Sequence, residues 1–191
     1  YGDGSTGKIV ETIHKFLLEN NHESRAFYGR GDPRSDPGVI KVNHNFEVYI
    51  DYALSKVTGY NGIFSHNPTN RLIDELRRFK PDIVHLHEIH GYFLHQYNLL
   101  EFLKSEGIPI VWTLHDKWAF TGGCHYAGYC HGFLENCGNC PMLKTADRND
   151  LSSIQFFSKM NIYKRRNLTI VTCSKWLRSL ANESSLLRDK P

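Results

Sequence analysis

Two kinds of apolar pattern alternate along this chain. Short continuous runs, DIVHLH at 82–87, IPIVWTL at 108–114 and LTIVT at 168–172, are rich in β-branched and aromatic residues. Gly, Pro and polar clusters bound them, which is the pattern of buried strands. Between them apolar residues recur at helical spacing. Ile9, Val10, Ile13, Phe16 and Leu17 share a face after the first glycines, and Phe46 to Val57 predicts a second helix. Pro68 to Phe79 predicts a third, with Asn67 as cap and Pro68 at the first helical position. Leu94 to Ser105 puts Leu99, Leu100 and Leu103 inward. Leu151 to Arg166 puts Ile154, Phe157 and Ile162 inward and Lys164, Arg165 and Arg166 near its C-terminal end. Ser174 caps a last helix, KWLRSLANESSLL. Weaker strands are expected at Ser24 to Gly29 and Val39 to Val42, joined by the loop GRGDPRSDPG. Strand, helix and strand at this spacing are βαβ units. They predict an α/β, Rossmann-like domain: a parallel sheet with helices on both faces.

Composition narrows the function classes. The 191 residues suffice for one domain with a real core. A net charge of +3 without a Lys/Arg run argues against nucleic acid as a partner. No apolar window approaches membrane-spanning length, and no signal peptide opens the sequence. Five cysteines is an odd number, and four of them fall between 124 and 140, which is not a secreted disulfide framework. A reducing, cytoplasmic location is expected. Asn167-Leu168-Thr169 matches a glycosylation triplet but opens a buried strand and is set aside.

Three stretches carry candidate chemistry. The first is YGDGSTGK, where Gly2, Gly4 and Gly7 flank Ser5 and Thr6 just ahead of a helix. Free backbone N–H groups and the helix dipole make such a turn an anion site. The spacing Gly2-x4-Gly7-Lys8 nearly matches a phosphate-binding loop, but Ile9 stands where a Ser or Thr must ligate magnesium. Such a turn also needs a strand feeding it, so an apolar first strand is expected ahead of Tyr1. The second stretch is IPIVWTLHDKWAFTGGC, which delivers His115-Asp116 to the carboxyl end of a central strand, where open α/β sheets bind ligands. Neighbouring His85, His87, Glu88 and His90 suit hydroxyl recognition by neutral donors and acceptors, or a metal hydrolase site with Asp116; HEIH falls one residue short of H-E-x-x-H. Trp118, Phe120, Tyr126 and Tyr129 fit sugar stacking or a packed loop equally.

The third stretch is the long loop 115–150, with Cys124-x5-Cys130-x6-Cys137-x2-Cys140. Four thiolates at these distances can close round a structural Zn²⁺; two disulfides or free buried thiols are the alternatives. Cys173 is expected in the core.

Taken together, the glycine turn, PDIVHLHEIHG, IPIVWTLHDKWAFTGGC, the loop ending GNCP, and LTIVTCSKWL resemble the amino-terminal half of family 4 glycosyltransferases of bacterial exopolysaccharide and colanic-acid assembly. That resemblance implies one half of a GT-B fold and a retaining enzyme about twice this length. Its carboxyl-terminal domain, which binds the nucleotide-sugar donor through a glutamate pair, would follow Pro191, and this half alone would be inactive. By resemblance, Gly4, Ser5, Thr6 and Gly7 would face the donor diphosphate and His115 would contact a donor-sugar hydroxyl. Asp116 would orient His115 or touch the acceptor, His87 and Glu88 would line the cleft wall, and Ser174 would lie near its floor. The acceptor would be a saccharide or a lipid-linked sugar, with peripheral contact at the inner membrane face and no catalytic metal. A P-loop-like nucleotide-binding protein, a metal-dependent hydrolase using His85, His87 and Asp116, and a non-enzymatic zinc-stapled domain are the rivals.

Overall fold

The structure, a computed structural model, describes residues 1–142, 150–164 and 167–191. Arg165 and Arg166, and residues 143–149 of the cysteine-bearing loop, lie outside the described residues. The elements run α1 (Gly4–Glu19), β1 (Ala26–Tyr28), β2 (Val39–Lys41), α2 (Asn45–Thr58), α3 (His66–Phe79) and β3 (Val84–Leu86). They continue with α4 (Gln96–Ser105), β4 (Ile110–Leu114), α5 (Ser152–Tyr163), β5 (Leu168–Thr172) and α6 (Lys175–Glu183). All pairings among the described strands are parallel, and helices are interleaved between them, as the βαβ spacing predicts. The strands form two sheets rather than one, β1-β2 and β3-β4-β5. The register sets Leu86 beside Trp112, and Trp112 beside Ile170.

β4 is the centre of the larger sheet. Ile110, Trp112 and Leu114 alternate into the core at 1–3% exposure, while Val111 and Thr113 are half-buried. Around them pack Leu99, Leu100 and Leu103 of α4, Phe156 of α5 and Leu168 of β5. Burying each such side chain contributes about 1.5–3 kcal/mol. Trp112 also ties the sheet together. Its indole N–H donates to the His87 carbonyl at 3.0 Å, and its ring meets Tyr163 edge-on. That bond fixes where the chain leaves β3.

Four expectations are corrected. α3 starts at His66 with Ser65 as N-cap residue, so Pro68 sits within the first turn rather than opening it. On α1, Ile9 and Phe16 are exposed; the helix turns His14 inward, where its ring bridges Ser24 Oγ and the Pro37 carbonyl. On α5 the inner face carries Ser152, Gln155, Phe156, Lys159, Ile162 and Tyr163, and both Ile154 and Phe157 point to solvent. The physical reason is polar. Gln155 donates to the Gly59 carbonyl, and Lys159 Nζ donates to the carbonyls of Trp118 and Thr121. Loop carbonyls that would otherwise be buried unpaired select the face of the helix. Cys173, expected in the core, is exposed.

Adjacent phenylalanines test this face assignment. Phe156 is 0% exposed and Phe157 is 45% exposed. Phe156→Ala should cost about 3–5 kcal/mol and Phe157→Ala less than about 1 kcal/mol, measured by urea unfolding.

Candidate functional site

The carboxyl ends of β3 and β4 lie side by side because the strands pair in parallel, and the histidines follow from that register. His85 pairs with Val111, and the His85 ring bonds Thr113 Oγ1 at 2.8 Å. Two residues on, His87 Nδ1 meets His115 Nε2 at 3.0 Å, with the rings stacked 5.3 Å apart. The His85 and His87 rings are themselves 4.3 Å apart. Burial pushes the His87 pKa down to about 4, and the neighbouring His85 and His115 push the same way. His85 is lowered for the same reasons, burial first and then His115. Near neutral pH, His85 and His87 are therefore neutral, each with one nitrogen donating and the other accepting.

Asp116 does not reach back to His115. Its Oδ1 accepts from the Trp118 backbone N–H at 2.7 Å. Its Oδ2 lies 2.9 Å from His125 Nδ1 and 3.4 Å from His90 Nε2. Burial alone would raise its pKa, but the bonds from His125 and His90 outweigh burial and hold the carboxylate well below the usual range. His90 is the reciprocal case. Burial lowers its pKa, yet bonds to Asp116 and Glu88 outweigh burial and raise it; Glu88 Oε2 is 2.7 Å away. The His90 ring stacks on Trp118 and lies 4.4 Å from the His125 ring. Ligand atoms of His90, Asp116 and His125 fall within 4.8 Å of one another, so these three could share a cation. The hydrolase set of His85, His87 and Asp116 is not gathered in this way; Asp116 is committed to His90 and His125.

The glycine turn lies at the same end of the strands. α1 begins at Gly4, with Gly2 and Gly4 at positive φ and no side chain capping its first turn, which comprises Gly4, Ser5, Thr6 and Gly7. Arg34 pairs with Asp3 at 2.7 Å, and a Cβ on Gly31 would lie 3.0 Å from Asp3 Oδ2. A Cβ on Gly91, just past His90, would lie 3.5 Å from Arg30 Cδ. The turn before α1, the loop after β1 and the loop after β3 are thus neighbours. Ser174 is exposed, and its Oγ accepts from the Leu177 N–H, a helix cap as expected.

The four loop cysteines are half-buried and unpaired, and all of them line one cavity of about 90 Å³. Burial raises the Cys124 thiol, and it pushes Cys137 up to about 11 despite a Gly122 N–H donated to Cys137 Sγ at 3.1 Å. Lys159, fully buried beside this loop, has its pKa pushed down to about 7 by burial, against the pull of Cys124, Cys137 and Asp116.

A family profile described as Glycosyltransferase Family 4 matches residues 6–183. The chain belongs to glycosyltransferase family 4. Among curated proteins, a putative colanic acid biosynthesis glycosyl transferase of Escherichia coli (strain K12), WcaC, is 26% identical over 153 residues. That alignment covers 74% of this chain and 37% of the relative, so the chain spans well under half of that protein. No solved structure matches this family 4 chain. Among the described residues, no helix is long and apolar enough to cross a membrane.

Sequence reasoning singled out His115 and Asp116, with Asp116 orienting His115 or touching the acceptor, and it did not place His125 in the site. The only signal for His125 was a second histidine nine residues on in a glycine-rich loop, which spacing alone does not distinguish from solvent-facing polarity.

The His87 environment has a measurable consequence. Its folded pKa is depressed below the 6.5 of the free side chain, so the unfolded chain binds that proton first as pH falls. Its contribution to stability is complete above pH 6.5 and is lost as pH falls through about 4. In urea titrations across that window, His87→Gln should show a shallower loss of stability with acid than wild type.

Proposed function

We propose that this domain is the acceptor-side half of a retaining glycosyltransferase. The full enzyme transfers a hexose from a nucleotide-sugar donor to a saccharide or lipid-linked acceptor in cell-surface polysaccharide assembly. It works in the cytoplasm, at the inner face of the membrane. The observation that carries the reading is the His87–His115 contact at the carboxyl ends of neighbouring parallel strands, in a chain of this family. A neutral His87 imidazole bonded to the His115 ring orients that ring as a hydrogen-bonding partner for a sugar hydroxyl. The reaction develops positive charge on the donor sugar and negative charge on the leaving diphosphate. Preorganised dipoles are most effective where such charge appears. In this reading His115 holds a donor hydroxyl, and the first turn of α1, from Gly4 to Gly7, faces the diphosphate with uncapped N–H groups. His87 fixes the His115 ring and, with Glu88, lines the cleft wall; Ser174 lies near its floor.

Of the two parts the resemblance implies for Asp116, orienting His115 or touching the acceptor, this reading takes the acceptor side, through His125. Its ionised carboxylate anchors His125 and His90, and the exposed edge of His125 is the group this reading offers to the acceptor. The same reading includes a structural Zn²⁺ on Cys124, Cys130, Cys137 and Cys140, and a reaction that runs without a metal. Its domain plan adds a first strand ahead of Tyr1 and a donor domain after Pro191. Among the described residues β1 and β3 each pair on one side only, an arrangement that a strand between them would complete. With half the cleft contributed by the donor domain, this domain alone is inactive.

In the full-length enzyme, His115→Ala should lower kcat/KM for sugar transfer by about 10²–10³ fold, with the fold retained by circular dichroism. Undiminished transfer by that variant would remove this domain from the chemistry. His125→Ala should raise the acceptor KM more than it changes the donor KM.

A further inference from the structure

Of the histidine–carboxylate cluster beside the cleft, the proposed sugar transfer uses only the outer edge of His125. The rest of the cluster has a geometry of its own. Asp116 Oδ2 lies 2.9 Å from His125 Nδ1 and 3.4 Å from His90 Nε2. Glu88 Oε2 lies 2.7 Å from the same His90 nitrogen. Two carboxylate oxygens thus converge on one ring nitrogen. That nitrogen has at most one proton to give, and a single N–H does not point well at both oxygens. A cation between them would meet both.

The donor set suits such an ion. Imidazole nitrogens and carboxylate oxygens together are ligands of divalent first-row transition metals. Two neutral imidazoles and two carboxylates also balance a divalent charge. Ligand atoms about 2.0–2.2 Å from an ion stand about 3–3.5 Å from one another. Ligand atoms of His90, Asp116 and His125 already fall within 4.8 Å of one another.

The ligands are also held from outside, as metal ligands are. Asp116 Oδ1 takes the Trp118 N–H at 2.7 Å, which turns Oδ2 towards the two rings. The His90 ring stacks on Trp118. His125 is pinned through its backbone, where its carbonyl accepts from the Lys117 N–H at 3.1 Å. Beside it, the Cys124 carbonyl accepts from Thr121 Oγ1 at 2.7 Å. These bonds bring the loop back over the end of β4 without help from the His125 ring. The cluster has an entry path as well. The His90 side chain is 11% exposed and that of His125 is 53% exposed, so the cluster opens to water on one side.

We infer that Glu88, His90, Asp116 and His125 bind one divalent first-row transition ion, through Glu88 Oε2, His90 Nε2, Asp116 Oδ2 and His125 Nδ1. The two ring nitrogens give up any proton they carry in order to ligate, so the ion replaces the N–H bonds to the carboxylates. It joins the loop after β3, the turn after β4 and the cysteine-bearing loop. It occupies Nδ1 of His125 and leaves Nε2 for the acceptor. The ion is a brace, and no step of the transfer runs through it. The site is separate from the four thiols and from His85, His87 and His115, and it does not depend on the sugar-transfer reading.

The test uses full-length protein dialysed against citrate, a chelator weak enough to leave thiolate-bound zinc in place. It is titrated with Mn²⁺, which suits oxygen and nitrogen ligands better than thiolates, and the free ion is read by EPR. One Mn²⁺ per chain is expected, displaced by added Zn²⁺. Glu88→Gln and His90→Gln should each bind at least about tenfold more weakly. Cys137→Ser and His115→Ala should bind as tightly as wild type. Binding that is lost in Cys137→Ser belongs to the thiols and overturns the inference. Binding unchanged in both Glu88→Gln and His90→Gln overturns it too, as does a wild type that takes up no Mn²⁺. Should the variants not fold, wild type carrying ¹⁵N-labelled histidine decides. Trace Mn²⁺ that broadens the His90 and His125 ring signals first supports the site, and broadening that starts at His131, beside Cys130, overturns it. None of these outcomes touches the sugar-transfer reading, which His115→Ala tests through activity.

Discussion

The half-buried carboxylate of Asp116 is the hub on which the end of the sheet depends. It sits where β4 stops and takes the Trp118 N–H, the His125 ring and the His90 ring. A carboxylate partly withdrawn from water is stabilised when its lone pairs are filled by good donors. Meeting that demand orders three separate pieces of chain. The turn after β4 is shaped by the Trp118 bond. The loop after β3 is drawn in through His90, which also holds Glu88. The cysteine-bearing loop is pinned through His125. Removing the charge would therefore release all three, although each is also held by apolar neighbours.

The fold was legible because its signal is one of period. IPIVWTL and LTIVT are too apolar and too β-branched to be much else, and β5 falls at the expected residues. Helix existence was equally plain; helix faces were not. Ile154 and Phe157 look inward by hydrophobicity, but Gln155 and Lys159 outcompete them because loop carbonyls need donors, and a loop's carbonyls are invisible to a periodicity count. The same holds for α1, where His14 takes the buried position through two hydrogen bonds that residues distant in sequence supply. At the site, residue types were readable and partnerships were not. His115 and Asp116 are adjacent in sequence, and successive side chains leaving a strand point apart. Of the two parts expected of Asp116, orienting His115 is the one its hydrogen bonds do not support.

The two histidine groups at this end of the sheet differ in charge for one physical reason, the presence or absence of a carboxylate. His85 and His87 are surrounded by other imidazoles, so burial and mutual repulsion keep them neutral. His90 lies between Glu88 and Asp116 and is favoured as an imidazolium. The arrangement puts fixed charge in the interior, where it shapes the loops, and leaves uncharged rings where a substrate hydroxyl would lie. If the proposed sugar transfer takes place here, neutral, oriented dipoles at the wall suit it, because a fixed positive charge beside the sugar would oppose the reaction.

Cations behind the site follow a related logic. Lys117 and Lys159 are both buried, and each lies against aromatic rings: Lys117 among Tyr126, Phe133 and Trp176, and Lys159 over Trp118. Ring faces and carbonyls solvate an ammonium but leave its field intact. That field extends towards Asp116 and towards the sulfur cavity. The cysteine loop and the Asp116 hub are thus not independent features that happen to be neighbours. They meet at Trp118, whose carbonyl accepts from Lys159 and whose N–H donates to Asp116.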